Sequence, residues 1–172
     1  MTDAPTSKTS LHRIETDGSG VPAWSASERA ALELWIDLLR VTGTVRGILA
    51  ARLAVECGLL PEEVDLMMRL EEAPERRLRM AAVSRSLQLS RSGVTRLVDR
   101  LAKRGLVERA ACPSDRRVVY AGLTDEGRGA VAEAAPVLVA GVVEHLGRYL
   151  AETELDGVRQ SLRTIIESQN SA

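Results

Sequence analysis

Residues 90–103 read SRSGVTRLVDRLAK, and this stretch decides the fold. Aliphatic residues recur in it at spacings of three and four, which is the period of one face of an α-helix; they are Val94, Leu97, Val98 and Leu101. A polar stripe starts two residues earlier, about 200° around the helix; it comprises Ser92, Thr95, Arg96 and Asp99. The pattern predicts a helix over 91–104 that is capped by Ser90 and turns a polar, basic face away from the core.

The flanking segments predict a helix-turn-helix followed by a hairpin. Residues 79–87 have the pattern of a short helix, and residues 88–89 form the turn before the cap. Beyond Gly105, residues 106–110 and 118–123 alternate well enough to form two strands. The second helix of a helix-turn-helix enters the DNA major groove, and a hairpin beside it is a wing that meets the backbone or the minor groove. The predicted fold class is mainly α with a small β-hairpin wing.

The charge of the chain is distributed unevenly. Residues 79–120 carry ten basic and three acidic side chains, a net charge of +7, whereas the rest of the chain carries −8. A basic segment inside an acidic frame is typical of a site for a polyanion. Only Lys8 and Lys103 of the 23 basic residues are lysine, and arginine is the residue suited to bidentate contacts with phosphate and guanine.

Helical patterns also occupy both ends of the chain. Ser25 and Glu28 have capping-box spacing, and the apolar stripe that follows them predicts one long helix to about residue 56. A shorter helix starts near Pro61, a residue suited to a first helical turn. Two further helices are predicted after Thr124 and Thr153.

These outer helices predict a homodimer. The stripes over 31–48 and 155–166 expose more aliphatic surface than one basic lobe can cover, and such surface is typical of interfaces. A two-fold dimer is expected to select a palindromic DNA site. The predicted organisation is a disordered tail over 1–23, a helical dimerisation region over 24–58 and 124–170, and a winged helix-turn-helix DNA-binding region over 59–123.

Composition argues against several other classes of protein. The longest uncharged apolar run, residues 134–143, is far shorter than the roughly 20 residues that span a bilayer, so no membrane partner is expected. Cys57 and Cys112 are isolated from each other and from His12 and His145, so neither a metal site nor a cofactor is predicted. The chain lacks a nucleophile-elbow motif and a phosphate-binding loop, and we therefore predict that it is not an enzyme.

The same residues resemble a known family. Residues 87–101 (LQLSRSGVTRLVDRL), 104–109 (RGLVER), 113–117 (PSDRR) and 123–127 (LTDEG) are similar to the MarR family of bacterial transcriptional regulators. The resemblance implies a winged helix-turn-helix dimer, with outer helices from both chain ends forming the dimer domain. It further implies a cytoplasmic, nucleoid-associated regulator of double-stranded DNA, typically a repressor that a small apolar or phenolic ligand releases.

Three groups of candidate site residues follow. The predicted DNA contacts are Ser90, Arg91, Ser92, Gly93, Thr95, Arg96, Arg100, Arg116 and Arg117. Asp99 and Asp115 are predicted to orient the wing, and we expect Asp99 to pair with a wing arginine, Arg117 foremost. Trp35, Arg46, Met67 and Met68 are candidates for a ligand pocket. The alternative for this last group is core packing of the methionines and Trp35, with a surface ion pair for Arg46.

Two other functions stay open at this point. The chain is alternatively a winged-helix module that binds protein without specific DNA binding, although such a module is expected to expose an apolar rather than a basic helix face. The remaining alternative is a redox sensor based on Cys57 or Cys112.

Overall fold

The computed structural model describes residues 24–111 and 118–170. Within these ranges the elements are α1 (Ala26–Glu56), α2 (Pro61–Glu72), β1 (Arg77–Arg79), α3 (Met80–Leu87), α4 (Arg91–Lys103), β2 (Val107–Ala111), β3 (Val119–Leu123), α5 (Asp125–His145) and α6 (Glu152–Asn170). The predicted mainly helical fold with a small sheet is confirmed. The tail predicted to be disordered over 1–23 and the wing turn at 112–117 lie outside the described residues.

The chain divides into two compact units, residues 1–42 and 43–172, and α1 contributes to both. In the first unit the predicted capping box is present. The Glu28 N–H donates to Ser25 Oγ (3.2 Å), and the Ser25 N–H donates to Glu28 Oε2 (2.8 Å). The helix that starts there carries exposed apolar side chains, namely Leu34, Trp35, Ile36, Leu39 and Val41.

A hydrophobic core lies in the second unit. Its fully buried members come from the end of α1, from α2 to α4 and from the sheet; they include Leu53, Leu66, Met67, Leu70, Val83, Leu97, Leu101, Val107 and Ala121. Helix α5 packs closely against α1 at Gly141, where an added Cβ would lie 2.5 Å from Leu49 Cδ2. The core therefore supports α4 from several elements at once.

The sheet has three antiparallel strands in the order β1-β3-β2. The two predicted wing strands pair in a register that places Arg109 opposite Ala121. The prediction of a two-stranded hairpin was incomplete, because β1 adds a third strand with Leu78 opposite Ala121. A three-residue strand with one apolar side chain has too little alternation to show in the sequence, and its partner lies more than 40 positions away along the chain.

One described segment, Asp125–Tyr149, is long and apolar enough to cross a membrane by length and composition, with a mean hydropathy of 1.4. Two acidic residues open it, and its buried positions Gly127, Ala134 and Gly141 pack within the second unit. The expectation of no membrane partner stays a prediction.

Candidate nucleic-acid interface

The two predicted faces of α4 are present. Val94, Leu97, Val98 and Leu101 are all buried in the core. Arg91, Ser92, Thr95 and Arg96 are exposed on the other side of the helix. No hydrogen bond or ion pair within the described residues restrains the guanidinium group of Arg91 or Arg96. In residues 24–111 and 118–170, these two guanidinium groups therefore lie on the exposed face of α4 without an acidic partner.

A local hydrogen-bond network sets the start of α4. Ser90 Oγ accepts the Gly93 N–H (3.1 Å), which confirms the predicted cap, and lies 3.1 Å from Ser92 Oγ. The preceding turn is closed by Ser84, whose hydroxyl donates to the Leu89 carbonyl at 2.6 Å. Gln88 holds the left-handed conformation that this turn requires, with φ of 56°. The N-terminal end of a helix carries partial positive charge, so this end adds to the attraction for an anion.

Arg109 of β2 links the wing to α4. Its Nη2 lies 2.9 Å from Asp99 Oδ1 and donates to the Thr95 carbonyl at 3.3 Å. Asp99 thus has a wing arginine, Arg109, as a partner. The pairing with Arg117 that the sequence favoured involves a residue outside the described ranges and stays a prediction. The sequence did not single out Arg109 for this pairing, because a short strand pattern does not show which of its side chains points toward a neighbouring helix.

Asp115, Arg116 and Arg117, the other candidates at the wing, lie outside the described residues. On the described part of the sheet, two basic side chains contact Tyr120. Arg79 Nε donates to the Tyr120 hydroxyl (3.2 Å), and the Arg77 guanidinium lies 5.3 Å from the centre of the Tyr120 ring. These contacts concentrate positive charge beside the wing.

A cleft of about 500 Å³ lies between the wing and α4. Its basic lining residues are Arg79, Arg91 and Arg109, and Thr95 lies among them. The cleft joins the exposed face of α4 to the sheet, so the two elements present one basic surface.

Arg100 differs from the other predicted DNA contacts. Its Nε donates to Glu63 Oε1 at 3.1 Å, and the Glu63 side chain is only 5% exposed. Glu63 lies in the first turn of α2, where an acidic residue is favourable whether or not it has a distant partner. Its pairing with a residue 37 positions away has no local sequence signal.

The four candidate pocket residues have different surroundings. Met67 is fully buried in the core and Met68 is half-buried against it, as in the packing alternative. Arg46 pairs with Glu62 at 3.0 Å, which is the surface ion pair considered for it. Trp35 belongs to the first unit and is 57% exposed.

A second cleft, of about 420 Å³, lies in the second unit. Arg46 is the one candidate pocket residue in its lining. Apolar lining residues are Pro61, Leu87, Leu89, Leu97 and Leu138. Arg96 and Arg100 of α4 also line this cleft, so an occupant would touch the same helix that carries the exposed basic face.

Within residues 24–111 and 118–170, no group of three or more His, Cys, Asp or Glu side chains is placed to hold a metal ion. The described cysteine, Cys57, is a half-buried free thiol.

A short helix, a tight turn, a second helix with a bare basic face and an adjoining antiparallel sheet define a winged helix-turn-helix protein. A model of the MarR family matches residues 57–118. A MarR-family regulator from Silicibacter pomeroyi is 30% identical, with a TM-score of 0.68 over 84% of this chain and 99% of that one. The chain belongs to the MarR family.

Two further relatives are informative. Sco3205, a MarR-family regulator from Streptomyces coelicolor solved in complex with DNA, is 28% identical, with a TM-score of 0.78 over 86% of this chain and 94% of that one. The transcriptional repressor MprA of Escherichia coli is 30% identical over 100 residues, which are 58% of this chain. The match spans 56% of the length of MprA, so little more than half of that curated relative is covered. All three relatives are described as transcriptional regulators or repressors rather than as enzymes.

Proposed function

We propose that this chain is a sequence-specific double-stranded DNA-binding transcriptional regulator, acting as a repressor in the bacterial cytoplasm, at the nucleoid. The observation that carries the proposal is α4, whose aliphatic side is buried while Arg91, Ser92, Thr95 and Arg96 are exposed. A helix of this kind beside a wing is suited to the DNA major groove. Its basic face argues against the alternative of a protein-binding module.

Within the proposed interface, α4 reads bases and the wing meets the DNA backbone. Arg96 lies one turn beyond Ser92, far enough into the helix to reach base edges, and arginine donates bidentately to guanine O6 and N7. Ser90, Ser92, Gly93 and Thr95 lie near the helix start, where N–H and hydroxyl groups suit phosphate. Arg91 adds charge there, and Arg116 and Arg117 are the proposed contacts of the wing.

Asp99 is proposed to act on the wing rather than on DNA, because a carboxylate is repelled by phosphate. Its 2.9 Å pairing with Arg109, which also reaches the Thr95 carbonyl, supports this role. The pair joins the middle of α4 to β2 and would hold the wing at a set distance from the reading face.

The working form is proposed to be a homodimer on a palindromic operator. In the second unit, apolar side chains of α5 and α6 are exposed: Val139, Val143, Val158, Leu162, Ile165 and Ile166. Exposed aliphatic surface of this extent is typical of an interface. A two-fold dimer would place two copies of α4 about one helical turn of DNA apart, and the operator would share that symmetry.

The last part of the proposal is that a small apolar or phenolic ligand releases the protein from DNA. The cleft of about 420 Å³ has apolar lining residues suited to the body of such a ligand. Its charged lining residues are Arg46, Glu62, Asp65, Arg96 and Arg100. A ligand there would contact the helix proposed to read DNA. Repression is supported by the family and by the name of the MprA relative.

The test is to select bound duplexes from a random pool and then to compare Arg96→Ala with Arg163→Ala. Both variants lose one exposed arginine, but Arg163 lies on α6. Arg96→Ala should cost about 1–3 kcal/mol on the selected duplex and much less on a random one. Arg163→Ala should leave the preference between the two duplexes unchanged. Equal binding to selected and random DNA by the wild type, without steep salt dependence, would refute the proposed function.

A further inference from the structure

Glu63 is a buried charged residue with no part in the proposed DNA contacts. Its side chain is 5% exposed, and it lies in the first turn of α2. A carboxylate removed from water loses solvation, and burial is tolerated only where cations and hydrogen-bond donors compensate that loss. The groups that contact the Glu63 carboxylate therefore indicate its structural role.

Two arginines of the α4 end and one backbone group surround this carboxylate. Arg100 Nε donates to Oε1 at 3.1 Å, and the Leu60 N–H donates to Oε2 at 3.0 Å. Arg104 Nη1 lies 3.6 Å from Oε2 and also donates to the Gly58 carbonyl at 3.0 Å. Glu63 thus joins the turn between α1 and α2 to the last turns of α4.

This link differs in kind from the hydrophobic attachment of α4 to the core. The aliphatic stripe of Val94, Leu97, Val98 and Leu101 holds the helix by hydrophobic contact, which is non-directional and tolerates small rotations. A charge-assisted hydrogen bond to a guanidinium group is directional and short. A pair near the C-terminal end of α4 restrains rotation and sliding of the whole helix.

We propose that Glu63 is a positioning residue that sets the orientation of α4 on DNA through Arg100 and Arg104. Arg100 then serves as an anchor rather than as a DNA contact, because its Nε donates to the buried carboxylate of Glu63. This inference rests on the proposed function, since an orientation matters only if α4 reads DNA. It removes Arg100 from the set of base and phosphate contacts.

The inference is tested by whether Glu63→Gln weakens or strengthens DNA binding. Glu63→Gln keeps an oxygen for the Leu60 N–H but removes the charge that holds Arg100. If Glu63 positions α4, affinity for the selected palindromic duplex falls by about tenfold, with little change on a random duplex. If Arg100 is instead a DNA contact that Glu63 restrains, the freed arginine strengthens binding to both duplexes, and the inference is overturned.

A matched control removes the general effect of charge. Glu71→Gln neutralises another carboxylate of α2 that pairs with an arginine, but its partner Arg128 (3.2 Å) lies on α5. Both variants lose one negative charge, so the change in net charge is common to the two. The loss of preference expected for Glu63→Gln is absent from Glu71→Gln, and equal behaviour of the two variants contradicts the inference.

Arg100→Gln provides an answer even if Glu63→Gln fails to fold. Arg100 is half exposed, and its replacement leaves Arg104 beside Glu63. Removing one arginine that neutralises a phosphate lowers the salt slope of log affinity by about 0.9. An anchor predicts weaker binding to the selected duplex with an unchanged slope, and a slope lowered by that full amount overturns the inference. In either case, the proposed function stands if the wild-type protein binds the selected duplex more tightly than the random duplex.

Discussion

Replacing Gly127 by alanine would place a methyl group where the structure has a backbone atom. A Cβ on Gly127 would lie 2.0 Å from the Leu106 carbonyl oxygen and 2.7 Å from Leu123 Cδ1. The Leu106 carbonyl cannot turn aside freely, because it accepts the Thr124 N–H (3.3 Å) and follows Gly105, which holds φ of 74°. The first turn of α5 therefore depends on a residue without a side chain.

Gly129 is the matched control in the same helix, since nothing lies within 4 Å of its Cβ position. Alanine gains about 1 kcal/mol over glycine in a helix interior, and this gain applies to both variants. Overpacking typically costs about 1–3 kcal/mol. The difference between the two variants isolates the clash, so Gly127→Ala should be less stable than Gly129→Ala by about 1–3 kcal/mol.

Urea unfolding followed by circular dichroism at 222 nm measures this difference, at one protein concentration because subunit association also adds stability. Gly129→Ala should match or exceed the wild type. Gly127→Ala should in addition weaken operator binding, since the shifted Leu106 lies between α4 and β2. Two variants of equal stability, within about 0.5 kcal/mol, would refute the close packing of α5 on this connection.

Three further outcomes are expected. Ser90→Ala should lower the free energy of unfolding by about 1 kcal/mol, whereas Ser90→Gly should cost only a few tenths; equal losses would count against the cap at α4. Asp99→Ala and Arg109→Ala should each weaken operator binding, and the double variant should be no weaker than either single one in anisotropy titrations; stronger binding by Asp99→Ala would mean that the carboxylate only repels DNA. Ile165→Asp should convert the dimer to monomer in equilibrium sedimentation, and an unchanged mass would place the interface away from α6.

Much of the DNA-facing half of the molecule is determined by the sequence alone. The stripe that contains Val94 and Leu101 repeats at the helical period, so local physics assigns both the helix and its buried side. Caps at Ser90 and Thr124 have the same local origin, because each hydroxyl accepts an N–H only three residues ahead. The net positive charge of residues 79–120 can be counted from the sequence without knowledge of the fold.

Pairings between distant segments were decided only by the tertiary structure. Strand β1, the Asp99 partner Arg109 and the anchoring of Arg100 by Glu63 each join residues at least ten positions apart. Hydrophobic periodicity and residue propensity report on residues that are close together along the sequence. These contacts depend instead on how helices and strands pack. Burial made the largest difference at Glu63. An acidic residue in a first helical turn usually faces water, whereas the tertiary fold buries this one beside Arg100 of α4.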